Sequence, residues 1–217
     1  MPDTATLTGQ LDAALRELPA IAILRATSDR HLLAAAASLA GEGFRVLEFP
    51  LTTPGALEAI SAARADLGAG ALVGAGTVLC ARDAQRALDC GAQLLVSPGL
   101  CLEVLDTGRA AGVPVLPGAF TATEVLAAQH AGASLVKLFP VNVVGPGYLA
   151  ALRQPLPALR AVPTGGVSLA DAGAWLAVGA AALGLGSPLT ADTLETGAID
   201  ELRTLARTWV REIRAAA

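Results

Sequence analysis

Eight short apolar runs, separated by Ala- and Leu-rich segments with helical periodicity, constrain the fold of this 217-residue chain more than any other feature. We predict that the runs are strands, at residues 20–25, 46–51, 72–77, 94–97, 113–117, 135–139, 161–164 and 182–185. A strand-then-helix repeat implies a parallel sheet, and eight such units in about 200 residues fit one compact barrel. We therefore predict an α/β fold: a (β/α)8 TIM barrel that forms a single domain over residues 1–217, with flanking helices at 11–18 and 200–214. A doubly wound open sheet is the alternative.

The segments between the runs carry helix boundary signals. Examples are "SDRHLLAAAASLAGEG", "ARDAQRALDCGA", "TATEVLAAQHAGA" and "SLADAGAWLAVGA". Most open with Ser, Thr or Asp, which cap helix N-termini, and close on Gly, which ends helices in the left-handed conformation. These signals support the helical half of each unit.

Composition excludes several classes of protein. With 53% hydrophobic and 16% charged residues the chain is not disordered, and no apolar run approaches the roughly 18 residues of a spanning helix. A net charge of −4 gives no general attraction to nucleic acid or anionic membrane. The first ten residues lack the basic and apolar regions of a signal peptide. We expect a soluble, cytoplasmic protein whose partners are small molecules, not nucleic acids or membranes.

Neither a metal site nor a disulfide framework is expected. The three cysteines, Cys80, Cys90 and Cys101, are odd in number and lack C-x-x-C spacing, so small buried thiols are the simplest interpretation. The two histidines, His31 and His130, are far apart in sequence, each in a stretch that reads as helix. A His-based metal site or a Ser-His triad is therefore hard to build.

Lys137 is the only lysine in the chain, and it lies in the strand-like run "ASLVKLFPVN". Since side chains alternate along a strand, Lys137 shares a face with Leu135 and Phe139, while Val136 and Leu138 point toward the helices. Lys137 is thus expected to face the barrel interior. An arginine would serve a plain ion pair, but it stays protonated, whereas a lysine amine can be deprotonated and attack a carbonyl. We therefore predict imine chemistry at Lys137.

Other polar residues fall near the C-terminal ends of predicted strands, where barrel enzymes place their chemistry. The same alternation is expected to turn them inward: Arg25 with Ile23, Glu48 with Val46, Thr77 with Ala75, Ser97 with Leu95, and Thr164 with Val162. An unpaired buried charge costs several kcal/mol, so polar groups at this position need a reason. Their convergence with Lys137 is the strongest functional signal in the sequence.

Structural roles remain open for the same residues. Glu48 and Lys137 could form a structural ion pair, and Arg25 could neutralise Glu48. Thr77 and Thr164 could simply bond the backbone at a strand-to-helix turn.

Two glycine-rich loops predict an anion site. "PTGGVS" follows the seventh strand and "GLGSPL" follows the eighth, and the loops at these positions of a barrel commonly bind phosphate through backbone N–H groups. Both loops together indicate a phosphorylated substrate.

The ordered segments "ILRATS", "VLEFPLTTPGA", "VGAGTVL", "LLVSPGL", "LPGAFTATEVL", "VKLFPVNVVGPGYLAAL", "VPTGGVSL" and "GLGSPL" resemble the motifs of the 2-dehydro-3-deoxy-phosphogluconate (KDPG) aldolase family. That family includes the 4-hydroxy-2-oxoglutarate (KHG) aldolases. The resemblance covers residues 18–190 and implies a class I, metal-independent carbon–carbon lyase on a (β/α)8 barrel, commonly a homotrimer, with no cofactor. It also implies a phosphorylated 2-keto-3-deoxy sugar acid and pyruvate as ligands.

The resemblance implies roles for individual residues. Lys137 matches the Schiff-base lysine and Glu48 the general acid/base. The remaining positions match substrate-binding residues, namely Arg25, Thr77, Pro98, Phe139 and Thr164, and phosphate-binding residues, namely Gly165, Gly166, Gly186 and Ser187. Some members carry an arginine at the position of Thr52 to hold the substrate carboxylate, and Arg25 of "ILR" matches the alternative.

The implied reaction is cleavage of 2-dehydro-3-deoxy-6-phosphogluconate to pyruvate and D-glyceraldehyde 3-phosphate, with KHG cleavage to pyruvate and glyoxylate as a further activity. The "ILR" and "E-x-P-L" patterns are also similar to those of 2-dehydro-3-deoxy-6-phosphogalactonate (KDPGal) aldolases, so the epimer stays open. A phosphate-binding-barrel isomerase and a non-catalytic phosphosugar-binding protein are the alternatives from other classes.

Overall fold

A computed structural model describes residues 6–216 of the chain, so the first five residues and the last residue of the predicted 1–217 domain lie outside the described part. The strands are β1 Ala20–Ile23, β2 Val46–Pro50, β3 Leu72–Gly76, β4 Leu95–Val96, β5 Val115–Leu116, β6 Gly118–Ala119, β7 Val136–Leu138, β8 Ala161–Pro163 and β9 Leu183–Leu185. The helices are α1 Leu7–Glu17, α2 Leu32–Gly41, α3 Ala56–Leu67, α4 Ala81–Asp89, α5 Leu102–Ala110, α6 Ala122–His130, α7 Pro146–Arg153, α8 Ala172–Ala177, α9 Ser187–Thr190, α10 Thr193–Thr196 and α11 Ile199–Ala216.

The strands form a closed parallel barrel. Six of them pair in the order β5-β4-β3-β2-β1-β9 and three in the order β6-β7-β8. A parallel bridge between Thr164 and Gly184 joins the end of β8 to β9. The predicted TIM-barrel fold is thereby confirmed. The open doubly wound alternative is wrong, because the first strand pairs with both the second and the last.

The fifth predicted strand is divided into β5 and β6. Pro117 lies between the two pieces and has no backbone N–H to donate to a ladder. β5 pairs with β4, and β6 pairs with β7, so this one stretch connects the two sheets. Several other strands end before the predicted boundary, which leaves Arg25, Thr77 and Thr164 in the loops that follow β1, β3 and β8.

Two apolar layers follow from the alternation of side chains. The barrel interior is packed by one layer, which contains Ile21, Val46, Leu72, Leu94, Val96, Leu116, Leu135, Val162 and Ala182. Leu11 and Leu15 of α1 belong to the same layer, so the N-terminal helix closes one end of the barrel. The second layer lies between strands and helices and includes Ala75 and Leu95. The predicted inward orientation of that face, on which Thr77 and Ser97 were placed, is therefore wrong.

The outer helices match the predicted segments and their glycine ends. Gly43, Gly91, Gly132 and Gly179 follow helices α2, α4, α6 and α8 with positive φ, as helix-ending glycines do. The predicted C-terminal flanking helix is α11, which packs on α2 of the first strand–helix unit and on α8 of the seventh. Within residues 6–216, no helix has both the length and the apolar character needed to cross a bilayer.

Candidate active site

A cavity of about 240 Å³ opens at the C-terminal ends of the barrel strands. Ten of the eleven predicted site residues line it: Arg25, Thr77, Pro98, Lys137, Phe139, Thr164, Gly165, Gly166, Gly186 and Ser187. The eleventh, Glu48, lies directly beside Lys137. The strands and the loops that follow them therefore bring together residues that are spread over most of the sequence.

Lys137 and Glu48 form the buried charged pair of the site. They lie on β7 and β2, with 7% and 2% of their surface exposed. The Lys137 Nζ atom is 3.8 Å from Oε1 of Glu48, which is close enough for strong charge attraction but too long for a good hydrogen bond. Within the described residues this Oε1 has no hydrogen-bond partner. A buried acceptor of this kind is costly in a purely structural pair, so the geometry favours a site that a reacting group completes.

The ring of Phe139 forms one wall beside the amine. Its centroid lies 5.4 Å from the Lys137 Nζ atom, within the range of a cation–π contact. The ring also restricts which residue can stand at position 165 in the loop after β8, because a Cβ on Gly165 would come within 2.9 Å of the ring edge. The apolar ring thus covers one side of the amine.

Arg25 connects two loops at the cavity rim. Its Nη1 donates to Oγ1 of Thr52 at 2.7 Å, and its Nη2 donates to Oγ1 of Thr77 at 3.2 Å. Arg25 does not appear among the ion-pair partners of Glu48 in the described residues, so the alternative in which it neutralises Glu48 finds no support. The guanidinium instead lies at the cavity, where it can meet an anion.

Thr77 reaches the cavity through an unusual backbone conformation. It follows Ala75 and Gly76, and plain alternation from Ala75 would direct its side chain toward the helix layer. Its φ of 55° lies in the left-handed region, which a β-branched residue rarely adopts. The twist brings Oγ1 within reach of Arg25 and places Thr77 on the cavity wall. Strained conformations of this kind concentrate at functional sites.

The loop after β8 carries Thr164 and the two glycines of "PTGGVS". Thr164 is buried and its Oγ1 donates to the carbonyl of Val162 at 3.1 Å, so its hydroxyl serves the turn as well as lining the cavity. Gly165 and Gly166 have φ values of 80° and 106°. A Cβ on Gly166 would come within 2.4 Å of Asn142, so this tight turn requires glycine for both conformation and space.

Sequence reasoning missed part of the cavity wall after β9. Pro188, Thr190 and Ala191 line the cavity beside the predicted Gly186 and Ser187. Ala191 has a φ of 46°, and apart from Thr77 it is the one non-glycine residue with positive φ in the described part. Nothing in the sequence marks an alanine for such a conformation, because the strain is set by the surrounding turn.

Other features of the molecule lie apart from this site. A cavity of about 640 Å³ lies at the opposite end of the barrel, lined by residues including Gln10, Glu17, Arg45 and Gln93. Across residues 6–216, no group of three or more His, Cys, Asp or Glu side chains is placed to hold a metal ion. The three cysteines are free thiols that are half-buried, so the prediction of buried thiols is wrong in the degree of burial.

Comparison with known proteins finds relatives that match most of the chain. The family model for KDPG and KHG aldolases matches residues 11–205. A probable 2-dehydro-3-deoxy-6-phosphogalactonate aldolase of Rhizobium meliloti (strain 1021) is 38% identical over 83% of this chain and 86% of its own length. A 2-dehydro-3-deoxy-phosphogluconate aldolase of Pseudomonas aeruginosa is 37% identical over 79% of this chain and 78% of its own.

A solved structure extends the similarity to three dimensions. The KDPG aldolase of Legionella pneumophila superposes with a TM-score of 0.85 and 25% identity, over 92% of this chain and 97% of the other. In that structure pyruvate was captured at low pH as a covalent carbinolamine intermediate.

Proposed function

Since this chain belongs to the KDPG and KHG aldolase family of carbon–carbon lyases, we propose that it is a class I aldolase whose Schiff base forms on Lys137. The observation that carries the proposal is the position of the only lysine. Its amine is buried in the cavity, within 3.8 Å of a carboxylate oxygen that lacks a hydrogen-bond partner in the described residues. The covalent pyruvate intermediate of the Legionella relative supports the same chemistry.

Imine formation starts from the deprotonated amine. The Lys137 Nζ attacks the C2 ketone of a 2-keto-3-deoxy-6-phospho sugar acid. The carbinolamine takes a proton from the acid form of Glu48 and loses water to give a protonated imine, which leaves Glu48 as a carboxylate. The imine is an electron sink for the adjacent C3–C4 bond. Phe139 and the apolar barrel interior below Lys137 limit water around the intermediate.

Glu48 transfers the protons in this mechanism. As a carboxylate it takes the proton of the C4 hydroxyl while the C3–C4 electron pair moves into the imine, which releases D-glyceraldehyde 3-phosphate and leaves an enamine. The acid form then protonates C3, and hydrolysis of the resulting imine frees pyruvate and Lys137. At 3.8 Å from Nζ, Oε1 is within reach of protons on groups that become bonded to that nitrogen.

Arg25 and Thr77 hold the substrate carboxylate in this proposal. The guanidinium of Arg25 already bridges Thr52 and Thr77 at the cavity, where it can present parallel N–H groups to a carboxylate. With Thr52 at the position where some relatives carry arginine, Arg25 supplies the positive charge. Pro98 and Thr164 complete the walls around the pyruvyl group.

The loops after β8 and β9 hold the phosphate. Gly165 and Gly166 on one side and Gly186 and Ser187 on the other line the same cavity, and glycine lets an anion approach the backbone N–H groups closely. Binding energy from this remote phosphate aligns the scissile bond with the imine.

Two observations favour the galactonate epimer: the "ILR" and "E-x-P-L" patterns resemble those of KDPGal aldolases, and the Rhizobium meliloti relative bears that name. We therefore propose KDPGal as the first substrate to test and KDPG as the second, which reverses the order expected from the sequence. Both give pyruvate and D-glyceraldehyde 3-phosphate. A higher kcat/KM for KDPG than for KDPGal would instead make KDPG the preferred substrate. Unphosphorylated KHG would use only the Lys137 end of the site and should be a poorer substrate.

Borohydride trapping tests the chemistry directly. The protein is incubated with pyruvate and sodium borohydride, and its intact mass is recorded with Lys137→Arg as the control. We expect a stable pyruvyl adduct on the wild type and none on the variant. A folded wild-type protein without adduct would leave an isomerase, in which Glu48 abstracts a proton and Lys137 is only a cation, or a non-catalytic phosphosugar-binding barrel.

The role of Glu48 is tested in the same assay. We expect Glu48→Gln to lower turnover by about 10²- to 10⁴-fold in a coupled pyruvate assay, while the borohydride adduct still forms in part. Turnover at the wild-type rate would eliminate the proposed role of Glu48.

A further inference from the structure

The loop that carries Arg25 is held from outside the cavity by Glu195 of α10. The backbone N–H of Thr27 donates to Oε1 of Glu195 at 2.8 Å, and the Thr27 hydroxyl donates to Oε2. Both carboxylate oxygens therefore bind one residue of the loop between β1 and α2. The two residues are far apart in sequence, so this contact is made only in the folded barrel.

The other side of the same loop is held by the neighbouring loop. The backbone N–H of Ala26 donates to Oγ1 of Thr53 at 3.1 Å, and Thr53 is only 2% exposed. Thr53 is adjacent to Thr52, which accepts from Arg25. The backbone just after Arg25 is thus fixed at two successive residues, by Thr53 at Ala26 and by Glu195 at Thr27.

The helix that carries Glu195 is itself joined to the cavity wall. α10 follows directly on α9, whose Ser187, Pro188 and Thr190 line the cavity. The buried hydroxyl of Thr193 donates to the carbonyl of Thr190 at 2.5 Å and so fixes α10 to α9. Glu195 consequently connects the β9 wall of the cavity to the β1 loop across its rim.

The charge of Glu195 suits this contact. Its pKa lies below the usual value, chiefly because the Thr27 hydroxyl donates to it and then because the Thr27 N–H does. An ionised carboxylate only accepts hydrogen bonds, so it matches two donors on one residue. A neutral amide in its place would present one acceptor oxygen and an NH₂ group that faces a donor.

We propose that Glu195 is a positioning residue of the aldolase site, which fixes the β1–α2 loop so that Arg25 presents its guanidinium beside Thr77. The inference rests on the proposed role of Arg25 as the carboxylate-binding residue. Glu195 does not line the cavity, so its effect on substrate passes through Arg25.

The test measures how adduct formation depends on pyruvate concentration. Borohydride-trapped adduct is quantified by intact mass for the wild type, Glu195→Gln, Arg25→Met and the double variant. Glu42→Gln is the matched control, because Glu42 also binds a surface partner through both oxygens, Arg207 of α11, but lies away from the cavity. The thermal midpoint of every variant is recorded beside its adduct curve.

We expect Glu195→Gln to raise the half-saturating pyruvate concentration about fivefold and Arg25→Met about tenfold or more, with the same adduct level at saturation. The double variant should match Arg25→Met, since Glu195 acts through that residue. Glu42→Gln should leave the half-saturating concentration unchanged, whatever it does to the thermal midpoint. Should Glu195→Gln not fold, Thr27→Val, which removes the hydroxyl but keeps the N–H, is expected to give a smaller rise.

Separate outcomes overturn the separate steps. The positioning role alone is rejected if the half-saturating pyruvate concentration is raised in Arg25→Met but unchanged in Glu195→Gln. Thr27→Val is used for the same comparison if Glu195→Gln does not fold. Equal fold-changes from Glu195→Gln with and without Arg25 reject the route through Arg25. If the wild type forms adduct and Arg25→Met has the same half-saturating pyruvate concentration, Arg25 does not bind the carboxylate, and this inference is rejected with that role. Absence of adduct on the wild type rejects the proposed function itself.

Discussion

Gly76 is the residue that leaves room for the Glu48 carboxylate beside Lys137. A Cβ added at Gly76 would lie 2.0 Å from Oε1 of Glu48, closer than any real contact. The end of β3 must therefore carry glycine so that the carboxylate of β2 can point into the barrel. At this scale the site depends on an absent side chain as much as on those present.

Gly76→Ala is expected to lower turnover by more than about tenfold, because the carboxylate must move away from the Lys137 amine. The coupled pyruvate assay measures turnover, and circular dichroism checks that the barrel is retained. Gly147→Ala is the control, since a Cβ there meets nothing within 4 Å and should leave turnover unchanged. Full activity in Gly76→Ala would show that the position of Glu48 is not critical.

Strand alternation predicted the interior position of Lys137 and Glu48 correctly, because both lie within regular strands. It turned Thr77 inward together with Ala75, which faces the helices, and Thr77 reaches the cavity only through its positive φ. Ala191 gave no signal at all. Local pattern determines side-chain direction within a strand, whereas the conformation of a loop residue is determined by its tertiary neighbours.

Among the helices, α6 begins with the clearest sequence-encoded boundary. The Thr121 side chain accepts from the N–H of Glu124, and the Glu124 carboxylate accepts from the N–H groups of Thr121 and Phe120. Thr121 is the first residue of the predicted helical segment "TATEVLAAQHAGA", so the sequence indicated this helix start. Asp171 at α8 makes no side-chain cap, so composition at a helix start does not guarantee capping geometry.

Thr121→Ala is expected to lower the free energy of unfolding by about 1 kcal/mol, measured by urea denaturation at pH 7. Thr204→Ala in the interior of α11 is the control and should be neutral or slightly stabilising, since alanine has the higher helix propensity.

The N–H groups of Thr121 and Phe120 hold the pKa of Glu124 below its usual value. That stabilisation is present above the unfolded-state pKa of about 4.3 and is lost as the pH falls through the folded-state value, so the effect of Glu124→Gln should shrink in acid. An effect of Glu124→Gln that stays constant from pH 7 to pH 3 would contradict this account.

The closed ring of the whole molecule could be predicted from the repeat, but the means of closure could not. Eight strand-like runs indicated the barrel, while the division at Pro117 and the single Thr164–Gly184 bridge are outcomes of packing. The sequence likewise marked residues 200–214 as a helix without showing that α11 spans α2 and α8. Long-range contacts of this kind leave no local pattern.

We propose that the protein assembles as a homotrimer, as the resemblance to its family implies. Light scattering after size-exclusion chromatography should give about three times the chain mass at micromolar concentration. Adding pyruvate should leave that mass unchanged, because the cavity is formed within one chain. A monomer that forms the borohydride adduct would separate the chemistry from assembly and reject the trimer.

Because the chain has a single lysine, the active site can be labelled selectively through its amine. Amine-acylating reagents meet one ε-amino group, 7% exposed, besides the terminal α-amine, so bifunctional lysine linkers have almost nothing to join on the outer surface. A small acylating probe that enters the cavity would instead count vacant sites, one per chain. Occupancy by any ligand could then be read from a whole-protein spectrum as the loss of one acylation, beside the constant acylation of the terminal α-amine.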